Sequence, residues 1–129
     1  MAEWKWVSED GALAAHREQL LEHGGGDGVR DLALFESAMA RPKNLAGYGD
    51  PDAAELAASY AFGLAKNHPF VDGNKRTAAV VSEGFLGKNG YALTATNAEV
   101  ATIFQALAAS ELSEEELASW FRERISAAA

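Results

Sequence analysis

Alanine fills 27 of the 129 positions, β-branched residues are scarce and prolines number three. Alanine loses no side-chain freedom in a helix and is the strongest helix former, so such a chain is constrained towards an all-α fold. Hydrophobic residues make up 48% and charged residues 23%, which supplies a core at this length and argues against disorder. Residues 1–129 are expected to form one domain, since no linker or internal repeat interrupts them.

Several function classes are excluded early. No cysteine is present, so disulfides, thiolate nucleophiles and Cys-based metal sites are out. The net charge of −8 repels phosphate backbones and anionic lipid, so neither direct nucleic-acid binding nor membrane association is expected. Glu3 and Lys5 interrupt the N-terminal segment, and no run of about 18 apolar residues exists, so a soluble cytoplasmic protein is expected.

Six helices are legible. Ser8 caps the first, over residues 9–22, with Leu13, Leu20 and Leu21 on one side. HGGGDG at 23–28 stops it; lacking GxxxxGK(S/T), this stretch reads as a mobile connection rather than a P-loop. Asp31 caps a second helix carrying Leu32, Leu34, Phe35, Ala38 and Met39, with Pro42 expected to end it. Residues 41–50 then read as a surface flap suited to positioning a target. Asp50-Pro51 signals the next start, with proline at the first helical position. That third helix, residues 52–67, has only Asp52, Glu55 and Lys66 as charges and should be central. A fourth buried helix covers 77–86 and ends at 87–90. Thr96 with Glu99 and Ser113 with Glu116 fit capping boxes for two more. Short extended pieces are expected at 4–7 and 91–94, and fraying at 127–129. Trp4 and Trp6 read as core or rim packing, His16 and His23 as structural or surface residues, and Arg30 and Asp31 as local pairing or capping groups.

The loop between the third and fourth helices, KNHPFVDGNKRT at 66–77, concentrates the chemistry. Gly73-Asn74 lead into a helix N-terminus, whose free N–H groups and positive dipole end favour an anion. Gly73 permits close approach of a phosphate, and the Asn74 amide offers a further donor. Lys75 and Arg76 lie in the first turn, where cations oppose the dipole unless a polyphosphate is bound. Asp72 suits one ligand of Mg²⁺, which is held by one or two carboxylates plus phosphate oxygens. Histidine titrates near neutrality, so His68 is a candidate general base. Phe70 reads as an inward anchor.

HPFVDGNKR closely resembles the Fic/Doc signature HxFx(D/E)GN with its basic helix start. The surrounding stretches at 28–42 and 55–78 are similar to the death-on-curing (Doc) branch, and the resemblance covers roughly residues 1–125. It implies a compact Fic/Doc-type helical bundle, His68 as catalytic base and Asp72 as magnesium ligand. Gly73, Asn74, Lys75 and Arg76 are then the phosphate cradle for ATP, with Lys66 a further candidate for orienting nucleotide or target. AMP-transferring members usually carry arginine three positions after Arg76, where this chain has Ala79, and glycine where it has Lys75. Doc-type members share this departure and present the γ-phosphate. The resemblance thus implies a toxin that phosphorylates a Ser or Thr hydroxyl of a translation factor, elongation factor Tu being expected, and so arrests translation. AMP transfer, or a catalytically idle antitoxin-binding protein, are the alternatives. The self-inhibitory pattern (S/T)xxxE(G/N) has no match, which implies a separately encoded antitoxin across the active-site groove.

The charge distribution agrees. Between Ser59 and Ser82 the balance is +2, and on the rest of the chain −10. An acidic chain that nonetheless places adjacent cations at a helix start fits a phosphate-handling enzyme better than a nucleic-acid binder.

Overall fold

A computed structural model describes residues 3–128. In chain order the elements are α1 (Glu9–His23), α2 (Leu32–Tyr48), α3 (Ala53–Asn67), α4 (Asn74–Lys88), β1 (Tyr91–Leu93), α5 (Asn97–Ala108), α6 (Glu114–Arg124) and β2 (Ile125–Ala127). The fold is an all-α bundle of six helices with one small antiparallel β1–β2 pair. No helix among the described residues is long and apolar enough to cross a membrane.

α3 lies at the centre and packs on α2, α4, α5 and α6. Eleven of its residues are buried, six of them alanines, and such small side chains let neighbouring helices approach closely. The gaps between helices are filled by Tyr60, Phe35, Phe70, Phe85 and Phe121, all fully buried. Trp4 and Trp6 pack on Phe85, with ring centroids 5.9 and 5.8 Å away. Residues 4–7 form no strand; instead Tyr60 Oη accepts from Val7 N at 3.0 Å and Asn89 bonds both backbone groups of Lys5.

Local signals explain most helix starts. Ser8, Asp31, Thr96 and Ser113 cap α1, α2, α5 and α6, the last two in full capping boxes. The cap of α3 lies two residues later than expected, at Asp52 rather than Asp50. Asp52 accepts from Glu55 N and Glu55 returns a bond to Asp52 N. This box satisfies two donors, whereas proline at the first position would merely avoid one.

Pro42 does not end α2, which continues to Tyr48. Proline removes one helical donor, a local cost. Against it stands tertiary packing that buries Phe35, Ala38, Met39 and Pro42. Arg41 adds bonds to the Ser59 carbonyl at 3.1 Å and to Glu114 at 2.7 Å. Most of the expected 41–50 flap is therefore helix. The inner face of α1 also differs, since Ala12 and His16 are buried while Leu21 is 87% exposed. At the other end β2 pairs with β1, and Ala128 N donates to the Gly90 carbonyl at 2.8 Å, so residues 127 and 128 are held rather than frayed. Ala129 lies outside the described residues.

The α3 cap is also an ion pair, Asp52 Oδ2 to Arg122 Nε of α6 at 2.7 Å. Burial raises the Asp52 pKa, but the bonds from Arg122 and the Glu55 N–H outweigh it and hold the carboxyl below its usual value. A depressed carboxylate pKa contributes stability that is complete above the unfolded-state value and is lost as pH falls through the folded-state value. Asp52→Ala should cost about 1 kcal/mol through the cap, with the exposed pair adding under about 1 kcal/mol. Asp52→Asn keeps a capping oxygen and should recover most of that loss. In urea unfolding, the gap between wild type and Asp52→Asn should close as pH falls through about 4 and below.

Candidate active site

Residues 68–73 join α3 to α4. His68 is the C-terminal cap of α3, in a left-handed conformation with φ 52° and ψ 52°, so the chain turns sharply out of the helix. Two residues on, Phe70 points inward as the sequence suggests. Its fully buried ring stacks on His16 at 3.9 Å and tilts against Phe35 at 5.6 Å. Asn74 then folds back on it. Asn74 Oδ1 accepts from Phe70 N at 2.9 Å and Nδ2 donates to the Phe70 carbonyl at 3.0 Å. Gly73 begins α4 at φ 81°, a conformation that side chains with a Cβ rarely adopt.

Three outside segments brace this loop. Residues 28–31 run antiparallel to it: Val71 N donates to the Gly28 carbonyl at 3.1 Å, Arg30 N to the Pro69 carbonyl at 2.6 Å, and Val29 bridges to Phe70. The Arg30 guanidinium bonds the carbonyls of Asn67 and His68, and Asp31 caps α2. His16 of α1 donates through Nε2 to the Asp72 carbonyl at 2.8 Å. The glycine run forms the third brace, with Gly26 N donating to Asp72 Oδ2 at 2.6 Å. A Cβ at Gly26 would lie 2.8 Å from Val71 Cγ1, so only glycine lets the backbone come so close. This run is packed on the motif loop and is not the loose connection its composition suggests.

The loop forms one side of a cavity of about 990 Å³. His68, Asp72, Gly73, Asn74, Lys75 and Arg76 all line it, opposite Gln19, Glu22 and His23 of α1 and a wall from α5. The N-terminus of α4 is unlike the other five among the described residues, because no side chain caps it. The first intrahelical closure is Thr77 N to the Gly73 carbonyl, leaving the N–H groups of residues 74–76 without helical partners. With the Lys75 and Arg76 side chains exposed beside it, the helix start offers concentrated positive charge. The His68 side chain is exposed and makes no hydrogen bond among the described residues.

Two candidates stand differently from the rest. Asn74 is buried with its amide committed to Phe70, so here it shapes the loop. Lys66 does not line the cavity; its ammonium bonds Ser110 Oγ and lies 5.9 Å from the Phe62 ring centroid. Sequence reasoning missed the Gly26 donor, the Arg30 clamp and the α1 wall. The wall had a signal, since Gln19, Glu22 and His23 at i, i+3, i+4 share one helix face.

A family model described as Fic/DOC family matches residues 6–86. The chain is 44% identical over 75 residues to "Toxin Doc" of Mycolicibacterium smegmatis, covering 56% of this chain and 57% of that protein. It is 32% identical over 85 residues to "Protein kinase doc" of Escherichia phage P1, covering 65% of this chain and 68% of that protein. The match to the mycobacterial relative thus spans little more than half of that protein's length. The family match includes α1, the glycine run, α2, α3 and the whole motif loop, so it covers every brace described above as well as the side of the cavity that the motif loop forms. This chain belongs to the Fic/Doc family, in its Doc branch.

Proposed function

We propose that this chain is the toxin of a toxin–antitoxin pair and a protein phosphotransferase, moving the γ-phosphate of ATP to a Ser or Thr hydroxyl of a translation factor. Elongation factor Tu is the expected target, and arrest of translation in the cytoplasm the outcome. The observation that carries the reading is the convergence of His68, Asp72, Gly73, Lys75 and Arg76 on one cavity at an uncapped helix start.

The chain's own groups have separable tasks. The α4 N–H groups, with Lys75 and Arg76, hold phosphate oxygens and offset their charge. His68, free of side-chain hydrogen bonds, takes the proton from the attacking hydroxyl. That oxygen bonds the γ-phosphorus as the bond to the bridging oxygen breaks and ADP leaves. The Asp72 carboxylate has Oδ2 on Gly26 N and no protein partner on Oδ1 among the described residues. These residues contain no cluster of three or more metal-ligating side chains. One open carboxylate beside a phosphate site fits Mg²⁺, which usually binds through one or two carboxylates plus substrate phosphates. When bound it neutralises charge on the phosphates.

Ala79 lines the same cavity, where an AMP-transferring enzyme would carry a cation, and this favours attack at the γ-phosphate. The name of the phage relative, "Protein kinase doc", supports the same choice. The expected restraint is a separate antitoxin lying across the groove, as the relative named "Toxin Doc" suggests.

The test uses the purified chain, Mg²⁺, a bacterial lysate and ATP labelled at the γ- or the α-phosphate. Label should reach one protein from the γ position only. Label arriving only from the α position would replace phosphorylation with AMP transfer, and label from neither, with the target present, would favour the idle antitoxin-binding protein. His68→Ala should lower transfer by about 10²- to 10⁴-fold while leaving the far-UV CD spectrum unchanged. Retained activity would remove His68 as the base.

A further inference from the structure

We infer that Arg30, which lies outside the motif, is the positioning residue for His68: its guanidinium fixes the left-handed turn that aims the imidazole into the cavity. This rests on the reading of His68 as the base. Arg30 Nε donates to the His68 carbonyl at 2.9 Å, and Nη2 donates to the Asn67 carbonyl at 3.1 Å and to the His68 carbonyl at 2.5 Å. These are the last carbonyls of α3, which have no helical donors and carry the negative end of the dipole, so a cation is favoured there. A guanidinium spans both with a rigid fork; an ammonium is a single point charge.

Arg30 is itself well anchored. Its own N–H and that of Asp31 both donate to the Pro69 carbonyl, at 2.6 and 3.1 Å, while the Asp31 side chain caps α2. Backbone and side chain of one short segment therefore hold the successive carbonyls of Asn67, His68 and Pro69.

His68 needs such a brace. At φ 52° it occupies a region disfavoured for residues with a Cβ, and its imidazole makes no hydrogen bond among the described residues to hold it. Pro69 also disfavours the right-handed helical region for the residue before it. A His68 released from Arg30 would relax to an extended conformation and carry its ring off the cavity. The motif itself does not encode this restraint.

The chain contains three histidines, so their imidazole signals separate readily in long-range ¹H–¹⁵N spectra. In Arg30→Ala, the His68 signals should shift and broaden while those of His23 hold, with the CD spectrum unchanged. In the transfer assay kcat should fall by about 100-fold, with KM for ATP within about twofold of wild type. Arg30→Lys keeps the charge without the fork and should lie between the two; it is read in the same way if the alanine variant fails to fold. His68 signals unchanged in both variants would overturn the inference. So would a disturbance shared by all three histidines with a lowered Tm, which would make Arg30 a stabilising residue only. If the wild-type chain transfers no phosphate, the phosphotransfer reading fails while the spectra still decide the role of Arg30.

Discussion

Phe70 has its N–H and its carbonyl both bonded to the Asn74 amide, at 2.9 and 3.0 Å, and its ring is held between His16 and Phe35. The loop's middle residue is thus fixed through backbone and side chain together. Every group around it inherits that placement. His68 lies two residues before Phe70 and Asp72 two after, both exposed, while Phe70 between them is fully buried. Leaving the Phe70 backbone groups unpaired in a buried position would cost about 1–3 kcal/mol each, which is why the amide is used internally.

A site that handles phosphate benefits from being built in advance. Phosphoryl transfer depends on positioning and charge stabilisation more than on covalent chemistry by the protein. The alanine-rich α3 is what makes that economical in 129 residues. Its small side chains bring α2, α4, α5 and α6 around one axis, so α1 and residues 26–31 are left to brace the motif loop. Fold and site share the same residues: Phe70 is at once a core aromatic and the hook of the motif loop.

Much of this was legible in the sequence because the determining interactions are local. The caps at Ser8, Asp31, Thr96 and Ser113 act within three residues of themselves, and residues 68–76 are contiguous. What was not legible depends on distant partners. Pro42 stays helical because α2 packs against α3 and Arg41 reaches Ser59 and Glu114. α1 leaves Leu21 exposed, half-buries Leu13 and Leu20, and turns Ala12 and His16 fully inward, where His16 finds a partner 56 residues away in the Asp72 carbonyl. Lys66 turns from the cavity towards Ser110, and within the glycine run Gly25 and Gly26 lie close against Asp72 and Val71. Composition alone could not distinguish that close approach from slack.

The central claim is that the motif loop is rigid before any nucleotide arrives. Native-state amide hydrogen exchange on the ligand-free chain tests it most directly, through the N–H groups of Phe70, Arg30 and Val71, which are bonded to Asn74 Oδ1, Pro69 O and Gly28 O. These three amides should be protected to a degree approaching that of the α4 core. Exchange at the rate of an open surface loop would contradict the account, since the clamp would then form only with ligand.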